Sequence, residues 1–121
     1  MNRNIPLNQL AATIGADLGE LVQAVKISTF NGVINDTRVD EGRLRGEWQT
    51  TTGAPASGES GRIDPTGAAA IAEVRANVTP DGVDYITNPM PYAEVWNERD
   101  AIIDKNVARI ERNIKEAIKN G

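Results

Sequence analysis

The side chains able to do acid–base chemistry in this chain are carboxylates. Asp36, Asp40 and Glu41 fall close together, and Glu94 and Glu98 lie one helical turn apart beside Tyr92 and Trp96. Paired carboxylates act as general acid and base when their surroundings split their pKa values. Histidine and cysteine are absent, which removes the commonest general base, thiol nucleophiles, disulfides and zinc ligation together. Asp36, Asp40 and Asp84 are hard-cation ligand types, yet the regular spacing of a calcium loop is missing. Gly58-Glu59-Ser60-Gly61 lacks the lysine and the following apolar helix of a phosphate loop. These carboxylates sit where helix caps and solvated faces need them. The sequence therefore points to a non-enzyme with no catalytic residue, cofactor or metal site.

The densest cluster of special residues is Asn35–Trp48, NDTRVDEGRLRGEW. Asp40 and Gly42 are expected to set a turn after a long helix, with Asp40 able to cap the turn that follows. Leu44 and Trp48 would anchor into the apolar layer. Arg38, Arg43 and Arg45 alternate with Asp36, Asp40, Glu41 and Glu47, so local ion pairing is expected. Arg43 and Arg45 are also placed to reach a carboxylate on another subunit, because the planar guanidinium suits interface pairs. Trp48, Tyr92 and Trp96 are three of the five aromatic residues; such residues anchor cores and also favour interfaces.

Composition limits what these residues can build. With 121 residues, a hydrophobic fraction of 40% and an aromatic fraction of 4%, the chain reads as one domain, 1–121, with a thin aliphatic core. A domain of this size buries about two-thirds of its unfolded surface, so burial against a partner would help it. A net charge of −4 argues against a nucleic-acid binder, which needs clustered cations to release phosphate counterions. No apolar run approaches the roughly 20 residues of a membrane span, and MNRNIPLNQL has no signal-peptide core. Cytoplasmic synthesis follows as the expectation.

The positioning elements follow from periodicity. After a flexible lead-in, 1–6, the apolar residues from Leu7 to Ile34 step by three and four, which is helical spacing. Gly15 and Gly19 weaken the first half, and Asp17 with Glu20 can form a capping box. The reading is one helix over about 7–36, or a short helix followed by a longer one. Residues 42–47 fit one further turn, and WQTTT from Trp48 suits a strand. Residues 53–64 form a surface loop or arm that cannot build a packed core, and deletion of 54–61 is expected to abolish assembly while leaving the monomer folded. Asp64-Pro65 reads as an N-cap followed by a first-turn proline, opening the alanine-rich segment 66–78. TPDG is a turn, VDYIT alternates as a strand, and Asn88-Pro89-Met90-Pro91 bends in extended conformation. Pro91 opens a short helix. A final helix over 101–119 carries the stripe Ile103, Val107, Ile110, Ile114, Ile118, with Glu111 and Lys115 as an i,i+4 pair.

Two separated segments are similar to a known family. RVDEGRLRGEW resembles the "TPVDTGRLRxSW" signature of the small neck and tail-completion proteins of long-tailed bacteriophages. YITNPMPYAEVWNE resembles their later "YxTNxxPYAxxLE" signature, in the same order, with a small-residue loop between. IDPTGAAAIAEV resembles their middle segment. The likeness spans roughly Asp36 to Glu98. Arg38 stands where the family usually has proline and Glu41 where it has threonine, and Trp96-Asn97-Glu98-Arg99 runs straight into a helix.

The resemblance implies an α+β fold, with a long N-terminal helix and a C-terminal helix packed on a small antiparallel sheet. It implies a ring, commonly sixfold, at the head–tail junction of the virion, assembled in the host cytoplasm and carrying no activity or cofactor. Implied partners are other copies of the chain and adjacent connector, tail-terminator or tail-tube proteins. Genomic DNA would pass through the channel without specific binding, which net negative charge suits. Arg38, Asp40, Gly42, Arg43, Arg45, Trp48, Asn88, Tyr92 and Trp96 are the expected interface or structural positions, and loop 53–64 is expected to reach a neighbour. A tail-terminator subunit and a non-viral adaptor that binds a partner helix are the alternatives.

Overall fold

Helical spacing in the first third of the chain becomes one long helix, α1 (Leu18–Asn35). The computed structural model describes residues 18–39 and 41–119. After α1 come a single helical turn, α2 (Arg43–Gly46), strand β1 (Gln49–Thr52), helix α3 (Ala68–Asn77), strand β2 (Asp84–Thr87), helix α4 (Ala93–Asp100) and helix α5 (Ile102–Lys119). The strands pair antiparallel, with Gln49 opposite Thr87 and Thr52 opposite Asp84. The class is α+β, helices around a small antiparallel sheet. α1 packs between α5 and α3, and α3 lies on β1.

The core is aliphatic apart from one indole. Val33, Ile34, Trp48, Ala70, Val74, Val78 and Ile102 form it, flanked by half-buried Ile27, Phe30, Ile71, Ile86 and Ile103. Trp48 is 4% exposed, and its Nε1–H donates to Thr37 Oγ1 at 2.7 Å. Thr37 in turn donates to Val33 O at 2.7 Å. A buried indole needs such an acceptor, and this relay ties it to the last turn of α1.

A two-stranded sheet leaves edges to be satisfied. The N–H of Thr50 donates to Glu73 Oε1 and its carbonyl accepts from Asn77 Nδ2, so α3 side chains close the free edge of β1. At the other end, Lys26 of α1 donates to Thr79 O, Gly82 O and Asp84 Oδ2. Asp84 also accepts from Thr79 N, Thr79 Oγ1 and Thr52 Oγ1. Burial pushes the Asp84 carboxyl up, but the bonds from Lys26, Thr79 and Thr52 outweigh it and hold the group well below the usual carboxylate range.

Four expectations change in the folded chain. Residues 64–67 form a turn closed by Gly67 N–H on Asp64 O, so Gly67, not Asp64, is the N-cap of α3. Asp64 still serves the helix, because its Oδ2 accepts from Ala69 N and Ala70 N, donors that a first turn leaves orphaned. On α5 the fully buried residues are Ile102 and Asn106, one position off the apolar stripe; Val107 is 44% exposed, and the Ile118 side chain lies outside the described ones. The displacement has a polar cause. Asn106 Nδ2 donates to Asp36 Oδ2, and Arg109 Nη2 donates to Ser28 O. This seam runs over Gly32, where a Cβ would collide with Asn106. Glu111 and Lys115 are not among the ion pairs of the described residues.

The fourth change concerns loop 53–64, whose root is tied into the fold. Glu47, buried beneath it, accepts from Ser60 N, Ser60 Oγ, Gly61 N and Arg62 N. Removing 54–61 would take away the bonds from Ser60 and Gly61 and leave those from Arg62 N and Gln49 Nε2. The lead-in 1–6, the helix start near residue 7, the break near Gly15, the Asp17 cap and the turn role of Asp40 all lie outside the described residues.

Trp48→Ala is expected to cost about 3–5 kcal/mol, the range for a buried large aromatic, read as the shift in urea midpoint. A shift under about 1 kcal/mol would show that the indole is not central. Asp84 has a lower proton affinity folded than unfolded, so its stabilisation is full above the unfolded pKa and fades as pH falls through and below about 4. Wild type should lose stability in that acid range, and Asp84→Asn should lower the neutral-pH midpoint and flatten the acid limb. An equally steep limb in the variant would refute the assignment.

Candidate functional site

The antiparallel register brings the two family-like segments, 38–48 and 85–98, side by side. Asn88 Nδ2 donates to Leu44 O at 2.7 Å, and Asn88 Oδ1 accepts from Met90 N at 3.1 Å. Leu44, Met90 and Ala93 form a second small core with Trp96 packed against it. Arg38 lies over the Trp96 ring at 4.5 Å and forks onto Asp100 through Nε at 2.7 Å and Nη2 at 3.1 Å. Arg99 approaches the same ring at 5.2 Å. Between the segments opens a cleft of about 390 Å³, lined by Arg38, Val39, Glu41, Arg43, Leu44, Tyr92 and Trp96.

Gly42 makes this corner possible. Its φ is +90°, and a Cβ there would sit 2.5 Å from the nitrogen of Pro65. Only glycine takes that conformation at no steric cost. Its carbonyl accepts from both Gly46 N and Asp64 N, so the returning chain crosses directly over α2.

Each arginine has a different task. Arg45 turns inward, not outward as its position in the sequence suggests: it donates to Pro65 O, Asn35 O and Thr37 O. A cation there satisfies carbonyls left open at the end of α1. Arg38 finds its carboxylate at Asp100, far along the chain, rather than among its neighbours. The hydrogen bonds and charge of this pair hold Asp100 below and raise Arg38 above their ordinary values. Arg43 lies at the surface; its side chain is 45% exposed and, among the described residues, pairs with the exposed Glu41 at 3.8 Å. Tyr92 is 39% exposed, Trp96 is half-buried, and of the three expected aromatic anchors only Trp48 is fully enclosed.

Glu47 is the residue whose role the sequence concealed. Burial pushes its carboxyl up, and the hydrogen bonds from Ser60, Gly61 and Arg62 overcome this and bring it below the usual value. Arg62 completes the clamp, donating to Gly46 O, Trp48 O and Glu73 Oε1. The nearest sequence signal is the Ser60-Gly61 pair, which supplies adjacent N–H groups for an anion, but no spacing rule links it to residue 47.

The carboxylates weighed for acid–base work do not converge. Asp36 accepts from Asn106, Glu94 and Glu98 are exposed on α4, and Asp84 is locked by Lys26. Among the described residues no group of three or more His, Cys, Asp or Glu side chains could hold a metal ion. No helix there is long and apolar enough to cross a membrane. The cleft at the corner brings together aromatic (Tyr92, Trp96), aliphatic (Val39, Leu44) and guanidinium (Arg38, Arg43) side chains. Comparison with protein families, with characterised proteins and with solved structures finds no match to this chain.

Asn88 joins the two segments, so Asn88→Ala leaves Leu44 O and Met90 N without their partner. The expected loss is about 1–3 kcal/mol, the cost of buried groups left unpaired, measured by urea unfolding. A midpoint equal to wild type would mean that the amide does not hold the segments together.

Proposed function

We propose that this protein is a structural subunit of a bacteriophage virion: a ring-forming head–tail connector or tail-completion protein of the neck. The supporting observation is the convergence of the two family-like segments on one exposed corner. Asn88 bonds to Leu44, and Arg38 bridges Trp96 and Asp100. Residues that are far apart in sequence are thus joined in a surface that does no acid–base chemistry and binds through shape, an aromatic ring and a cation.

The surface chemistry agrees with assembly. Val39, Tyr92 and Val95 are exposed around the corner at 43%, 39% and 55%, and interfaces favour aromatic residues together with arginine. Net charge of −4 suits a lumen through which DNA slides without being gripped. The partners of this reading are further copies of the chain and the connector, tail-terminator or tail-tube proteins above and below it. A tail-terminator position stays within the same class. The half-exposed apolar stripe of α5, with Val107 open to solvent, favours the second reading, an adaptor that binds a partner helix.

Native mass spectrometry separates the two. The neck reading expects a closed ring of about six copies, or up to about twelve, as closed point symmetry requires; a monomer or dimer at all concentrations would reject it in favour of the adaptor. Arg43→Glu is expected to leave the melting curve within about 0.5 kcal/mol of wild type, as for exposed substitutions, while weakening association. An unchanged assembly would remove Arg43 from the interface.

A further inference from the structure

We infer that the arm 53–59 of one copy seats in the Arg38–Trp96 cleft of the next, with Glu59 meeting Arg43, so that each subunit carries both halves of a head-to-tail contact. This deepens the ring reading and rests on it.

The arm is built to be presented. Its first limb leaves β1 with Gly53 N–H on Val83 O and Thr51 Oγ1–H on Ala54 O. Its return limb is held by Gln49 Nε2 on Gly58 O and then by the buried Glu47 carboxylate at Ser60, Gly61 and Arg62. Between these anchors the segment Ala54-Pro55-Ala56-Ser57 is small, largely exposed and stiffened by proline. An arm whose base is already ordered loses less freedom on docking than a free loop. Glu59 is its single charge, exposed and without a side-chain partner among the described residues.

The cleft complements it. Its charged lining among the described residues is Arg38, Arg43 and Glu41. Arg38 is committed to Asp100, whereas Arg43 has only a loose, exposed contact with Glu41 at 3.8 Å among the described residues, one that a carboxylate in the forked geometry it favours can displace. Val39, Leu44 and Tyr92 supply apolar wall for the alanines and proline. Position matters as much as chemistry. The first limb of the arm leaves the Thr52 end of the sheet, about 13 Å along a four-residue strand from the Gln49 end, and the return limb carrying Glu59 comes back to that Gln49 end, where the cleft opens. A donor arm and an acceptor cleft built from different residues allow a heterologous contact, the kind that closes into rings.

The chain contains no cysteine, so cross-linking reads the contact directly. Full-length Ser57→Cys and Val39→Cys chains, mixed and treated with a short bis-maleimide, should give a 57–39 linked pair, while each variant alone should give none. Glu59→Arg and Arg43→Glu should each weaken ring formation about tenfold, the scale of a misplaced interface charge, and the two combined in one chain should recover it. Rings in native mass spectrometry without 57–39 links, or with 57–57 links, would overturn the inference and leave the ring reading standing. A chain that stays monomeric throughout would overturn both.

Discussion

A carboxylate with no exposed surface organises the middle of this fold. Glu47 ends α2 and is closed off from water, a position that would force it to neutralise unless it were fully hydrogen-bonded. The chain meets that demand by folding residues 60–62 back over it, offering three backbone N–H groups and a hydroxyl. Everything downstream depends on that return. It carries Asp64 to the N–H groups of Ala69 and Ala70, and so starts α3. It lays Pro65 against Gly42, where only a missing side chain allows the crossing. It also places Arg62 across Gly46, Trp48 and Glu73.

The rest of the architecture shows how a small chain poor in aromatics substitutes polar contacts for bulk. Its core has one enclosed indole, and that indole is positioned by Thr37. The α1–α5 contact is a polar seam through Asn106 and Arg109 over Gly32, and the sheet edge is closed by Glu73 and Asn77 instead of a third strand. Buried polar networks of this kind specify one arrangement when every member is paired. They also displace apolar surface: with Asn106 turned inward, the isoleucine stripe of α5 is left only half covered. A molecule assembled this way leaves aliphatic and aromatic surface exposed, and at the corner of Arg38, Tyr92 and Trp96 that surface lies beside a cation.

Local chemistry was legible wherever it depended on near neighbours. Helical spacing marked α1 and α5, the threonine run marked β1, the alternation from Val83 to Thr87 marked β2, and Pro-Asp-Gly marked the turn between α3 and β2. The special character of Gly42 and Trp48 also showed in sequence, since a glycine between polar residues and an isolated indole each have few structural uses.

What sequence alone determined, then, was the order and type of the elements and the lack of histidine and cysteine chemistry, because propensity, periodicity and composition act over a few residues at a time; the α+β class was what the resemblance implied. Tertiary structure decided which charges are partners and which face is buried. Arg45 points inward and Arg43 outward although they are two residues apart, Arg38 pairs with Asp100 across sixty positions, and Glu47 is an internal anchor rather than a surface charge. The buried line of α5 runs through Ile102 and Asn106, not along the stripe from Ile103. Hydrogen-bond satisfaction in a closed space is a long-range condition, met only when distant segments arrive together, and no local pattern encodes it.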